Sequence, residues 1–322
     1  MPDFEPQSIA WKSNRAVVLV HGVGSYTKPN YDGLIAALES AVGKTEWKKV
    51  AVYTTLYDVF NDWAAEKTQC ATLAAQLVSR LKFHYDSGAL GEVAAEGAGD
   101  VVWPVLSMDV RHCLRDAIVA QLQRVVLDGD RAGYRRAEQK ITILCHSLGC
   151  FHTYEALACC ARDERQRLMP IADAVQFDNV VMFASPVQLI RTVSGWLGRL
   201  VPEADDLACL IGSRLERLGE TNLAGRFVPS TRRFVSVTGE LDPVGGFLFR
   251  RQLPWAYMDV REQESHVDDQ TLLDLPTPED LTDALMSAIG SKKGLPFSPE
   301  NPHDWIGYVE RNGALVKECV LS

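Results

Sequence analysis

Ser147 closes the run Ile141-Thr142-Ile143-Leu144-Cys145-His146-Ser147-Leu148-Gly149, an apolar, β-branched stretch that reads as a buried strand ending in small residues around a hydroxyl. A helix is expected to begin immediately afterwards. A serine held on so tight a strand-to-helix turn presents its Oγ as a nucleophile, and the strained backbone there calls for small residues two positions before and two after. Gly149 meets the second demand. Cys145 stands at the first, where Gly is commonest, and is small enough for the turn to survive. The same turn sets Ser147 at a helix N-terminus, where backbone N–H groups and the dipole favour a developing oxyanion. That is acyl-transfer chemistry; the other use of a serine at such a place is as a helix N-cap.

A second stretch carries chemistry of its own. Ala16-Val17-Val18-Leu19-Val20 reads as another buried strand, and it runs directly into His21-Gly22-Val23-Gly24. Leu19 to Gly24 together with Cys145 to Gly149 resemble the α/β-hydrolase superfamily, in particular its lipase and serine-esterase branches. The element order from Ala16 to the C-terminal end fits as well, so the resemblance covers nearly the whole chain. It implies an oxyanion hole built from the backbone N–H groups of Val23 and Leu148, with Gly22 and Gly24 letting the loop approach a substrate carbonyl.

The resemblance also implies an order of nucleophile, then acid, then histidine. After an expected strand at Phe234 to Thr238 comes Gly239-Glu240-Leu241-Asp242-Pro243-Val244, and an Asp in a turn just past a strand end is where the family keeps its acid. Asp242 is the choice, with Glu240 the alternative. Of the seven histidines, His21 belongs to the early loop, His146 to the turn and His152 to the helix after it, while His84 and His112 precede the nucleophile in helical stretches. His266 and His303 remain. His303, in Asn301-Pro302-His303-Asp304-Trp305 ahead of an amphipathic C-terminal segment, is favoured over His266, in Glu264-Ser265-His266-Val267-Asp268. The implied reaction is ester hydrolysis through an acyl-enzyme: the imidazole takes the Ser147 proton and Asp242 fixes its tautomer. No metal or organic cofactor is called for. The choice among a small ester, a lipid and a thioester as substrate stays open; an acyltransferase, or a binding protein that kept the fold without turnover, are the rival readings.

The elements that must position these groups alternate. Strands are expected at 16–20, 50–57, 141–145, 180–184, 234–238 and 256–261. Helices are expected at 31–42, 61–85, 110–127 and 151–162, the third with Val110, Cys113, Leu114, Ile118, Leu122 and Val125 on one face. Ser87 to Asp100, rich in Gly and Ala, reads as loop. This alternation predicts an α/β fold, a doubly wound, mostly parallel sheet with helices on both faces, within a single domain spanning 1–322. Between two core strands lies a helical insert, 187–226, with Val187, Ile190, Val193, Trp196, Leu197, Leu200 and Val201 at helical spacing. It reads either as a helix packed on the sheet or as a cap over an apolar acyl pocket.

Composition bounds the partners. The 322 residues include 42 acidic and 33 basic side chains, a net charge of −9, which argues against nucleic-acid backbones. No run reaches the roughly 18 apolar residues of a membrane span. Met1 to Asn14 lacks the basic and then apolar pattern of a secretory signal. The eight cysteines include no Cys-x-x-Cys, and several sit in apolar runs, as reduced thiols do. A cytoplasmic home is expected, and the sequence sets no oligomeric state.

Overall fold

The computed structural model describes residues 4–22, 28–57, 108–160, 177–185, 219–221, 227–229, 231–237, 258–259 and 304–322. Its centre is a sheet whose strands are β1 (Arg15–Val20), β2 (Ala51–Thr55), β3 (Lys140–His146), β4 (Phe177–Phe183), β7 (Thr231–Val237) and β8 (Met258–Asp259), in the spatial order β2-β1-β3-β4-β7-β8. The first five run parallel, and β8 closes the edge antiparallel through Phe234 opposite Met258. A separate antiparallel pair joins β5 (Gly219–Thr221) to β6 (Phe227–Pro229).

The central strands are continuous apolar runs because both their faces are covered. In β1, Ala16, Val18 and Val20 point into one apolar cluster, whereas Val17 and Leu19 point into another. The first cluster is filled by α3 (Met108–Arg131) and α4 (Leu148–Cys160). Cys113, Leu114, Ile118, Leu122 and Val125, the face expected of α3, are all buried there. The opposite cluster takes Tyr31, Leu34, Leu38 and Val42 of α1 (Lys28–Val42), Trp47 of the short α2 (Lys44–Trp47), and the C-terminal helices α5 (Trp305–Arg311) and α6 (Gly313–Leu321).

Polar contacts fasten α6 to the sheet. Thr142 Oγ1 and Asn179 Nδ2 each donate to the Cys319 carbonyl at 2.7 Å, and Asn179 Nδ2 also reaches Ser322 Oγ at 2.9 Å. Asp304 caps α5 by accepting from the Gly307 N–H at 2.8 Å. The last helices are thereby held against β3 and β4.

Several boundaries differ from the sequence reading. β4 begins at Phe177 rather than 180 and stops before Ala184, which takes a φ of 52° in a turn. β7 begins at Thr231, earlier than 234. Within the segment read as helical insert, 219–221 is a strand, its backbone groups bonded to β6. The rest of 187–226 lies outside the described residues, as do the helix and loop expected at 61–85 and 87–100. Among the described residues, no helix is long and apolar enough to cross a membrane.

Candidate functional site

The chain leaves β1 for β2 on one side and returns to β3 on the other, so β1 and β3 flank the point where the winding reverses. In open α/β sheets the crevice at the carboxyl ends of such strands is where ligands bind. Two loops meet there: His21-Gly22, after β1, and Ser147, after β3.

Ser147 joins β3 to α4 without a spare residue and has a φ of 52°. A left-handed backbone at a non-glycine residue costs of order 1–3 kcal/mol and persists only where the surroundings enforce it. The enforcing contacts are visible. The Ser147 N–H donates to the Phe183 carbonyl at 3.0 Å, and its own carbonyl accepts from the Cys150 N–H at 2.9 Å. The adjoining strand end repeats the device: Ala184, also at φ 52°, donates its N–H to the Val237 carbonyl at 2.9 Å. The ends of β3, β4 and β7 are thus tied in a row.

Two glycines set how closely the loops approach. A Cβ on Gly149 would lie 2.1 Å from the His21 carbonyl oxygen and 2.5 Å from that of Val20. A Cβ on Gly22 would lie 2.6 Å from Ser147 Cβ and 3.3 Å from its Oγ. Backbone from the β1 loop therefore rests directly on the serine and on the first turn of α4. Only hydrogen at these positions allows it.

Cys145 and Cys150 flank the serine from inside. Both are fully buried, and their Sγ atoms donate to the Val181 and Phe183 carbonyls, each at 3.4 Å. Burial, with Cys145 alongside, pushes the Cys150 thiol well above its ordinary range. A thiol that stays protonated is a poor nucleophile; the Ser147 hydroxyl beside it is 5% exposed.

Aromatic rings wall the site. His21 is fully buried, and desolvation lowers its pKa to about 3 against a lesser opposing bond to the Gly22 carbonyl. Its imidazole is neutral at all ordinary pH. The ring stacks on Tyr57 at 4.1 Å with planes 8° apart. On the other side, His146 stacks on Trp305, the first residue of α5, at 5.5 Å and 11°, and Trp305 meets Tyr31 edge-on at 6.4 Å.

Of the catalytic and oxyanion-hole residues expected from the sequence, Ser147 and Leu148 are described. Leu148 is buried and heads α4, where a helix N–H has no intrahelical acceptor. Val23, Glu240, Asp242, His266 and His303 lie outside the described residues. Two of them adjoin described ends, Asp242 five residues beyond the last residue of β7 and His303 immediately before Asp304. Sequence reasoning missed Tyr57 and the stacking of Trp305 on His146; no local signal marks either, because their partners come from other elements. No family model and no curated protein matches this chain.

Proposed function

We propose that the chain is a serine hydrolase of the α/β-hydrolase type that cleaves carboxylic esters, with Ser147 as nucleophile. The observation that carries this reading is the left-handed backbone of Ser147 at a strand-to-helix turn, with Gly22 packed against it. A mere N-cap serine would adopt an extended backbone and would need neither the strain nor the close approach. In the proposed reaction Ser147 Oγ attacks the ester carbonyl and the tetrahedral oxyanion is met by the N–H groups of Leu148 and Val23. An imidazole takes the serine proton and returns it to the leaving alcohol, and water then releases the acid.

Asp242 is proposed as the carboxylate that fixes that imidazole, supported by the tying of β7's end to the end of β4 beside the serine. His303 is proposed as the base. Two residues of chain span at most ~7 Å, and Trp305, two positions on, rests on the ring that precedes Ser147. The segment 187–226 is proposed to cover the acyl pocket of a small ester or lipid substrate. The buried thiols Cys113, Cys145, Cys150 and Cys319 support a reducing, cytoplasmic home.

The test is direct. Wild type should hydrolyse a p-nitrophenyl ester and be phosphonylated at Ser147 by a fluorophosphonate probe, located by mass spectrometry. Ser147→Ala should lose both, with kcat down by ~10⁶ and an unchanged circular dichroism spectrum. A mutant retaining a tenth of wild-type turnover would exclude Ser147 as nucleophile.

A further inference from the structure

We propose that Tyr57 is a positioning residue for the oxyanion hole, acting through His21 and the carbonyl groups of the His21-Gly22 loop; this rests on the reading of Ser147 as nucleophile and of the N–H following Gly22 as an oxyanion donor. Tyr57 lies just past β2, fully buried, with its ring flat on the His21 imidazole and edge-on to His152 at 5.4 Å. Its hydroxyl donates to the His21 carbonyl in a very close contact and lies 3.4 Å from the Gly22 carbonyl oxygen. The His21 ring completes the clamp, its Nδ1 standing 2.9 Å from the Gly22 oxygen. A carbonyl can only accept, so Nδ1 carries the proton in this contact.

The consequence follows from peptide geometry. In a planar trans peptide the C=O and N–H point in opposite directions. With the Gly22 oxygen drawn toward Nδ1 and the Tyr57 hydroxyl, the N–H of the same peptide unit must face away from them. Glycine gives this peptide little resistance to rotation. Turned over, it would offer an oxygen, not a hydrogen, to a developing oxyanion. The loop's own sequence therefore leaves the orientation open, and the stacked Tyr57–His21 pair supplies what decides it. The contact does not depend on ionisation, because Nδ1 carries its proton in this neutral tautomer and in the imidazolium alike.

Tyr57→Phe retains the ring stack and deletes only the hydroxyl. With a p-nitrophenyl ester, kcat should fall ~10- to 100-fold, short of the full loss of one oxyanion donor, with KM changed less than about three-fold. A trifluoromethyl ketone, which forms a tetrahedral oxyanion adduct with the serine, should bind weaker by the same factor as kcat. A loosened fold would instead weaken substrate and inhibitor together and lower the melting temperature. His21→Phe, which keeps a ring on Tyr57 but offers the Gly22 oxygen no donor, should give the same kcat-selective signature and serves if Tyr57→Phe does not fold. Fluorophosphonate labelling of wild type separates the two levels. If Ser147 is not labelled, the nucleophile reading fails and the clamp with it. If Ser147 is labelled while the folded variants match wild type in kcat and inhibitor affinity, the clamp alone is overturned.

Discussion

His303 and His266 can be told apart by substitution, because an imidazole that moves the serine proton cannot be spared whereas a loop imidazole can. His303→Ala should fall to the level of Ser147→Ala in kcat/KM on a p-nitrophenyl ester, since members of one triad fail as a unit. His266→Ala should stay within a few-fold of wild type. The reverse result would move the base to His266 and leave Ser147 untouched. The His146 ring lies flat against the Trp305 indole, which packs His146 onto the start of α5.

At the level of elements, the close crossing of the β1 loop over α4 carries its own expectation. Gly149→Ala drives a methyl to 2.1 Å of the His21 oxygen, and both neighbours there are backbone. Overpacking of this kind costs at least ~1–3 kcal/mol, so the variant should lose several degrees in melting temperature by calorimetry. Gly22→Ala presses on Ser147 Cβ instead, and should lose activity out of proportion to stability. A Gly149→Ala protein as stable as wild type would mean that the loop and α4 are not held so close. These elements were also where the sequence spoke clearly. β1, β3 and the middle of β4 are legible because burial on both faces leaves no polar position to blur the run. The start of β4 was not, since Asp178 and Asn179 look like loop residues until their partners are known. Asp178 accepts from the Ile141 N–H at 3.1 Å and pairs with Lys140, and Asn179 bonds α6. The start of β7 was hidden likewise by Arg232 and Arg233, which pair with Asp178 and Glu318. In the site, the serine turn was readable from five consecutive residues, but the Tyr57 clamp was not. Its hydroxyl meets carbonyls some 35 positions away, and only the pairing of β1 with β2 brings them together.

For the molecule as a whole, His21 ties stability to acidity. Its folded pKa of about 3 lies below the ordinary 6.5, so between those values the unfolded chain binds a proton that the folded one refuses. The stabilising preference for neutral His21 is fully present above pH 6.5 and is lost as pH falls toward 3, by up to about 1.4 kcal/mol per pH unit. Melting temperature should therefore drop between pH 6.5 and 4, and His21→Asn, which does not titrate, should show a shallower drop. Parallel curves for the two proteins would show that His21 is not what acid attacks. A different liability comes from the order in which the two sides of the sheet are made. The face that carries Val17, Leu19, Leu144 and Val181 is finished by Trp305, Tyr308, Val309 and Val316. Roughly 290 residues separate Arg15 from Trp305. At ribosomal speeds of ~5–20 residues per second, that interval is ~15–60 s. Throughout it, among the described residues, that flank of β1 has α1 and α2 beside it but not yet α5 and α6. Among the described residues, α5 and α6 therefore complete this face long after β1 has been made, and they bring Trp305 to the turn that bears the serine.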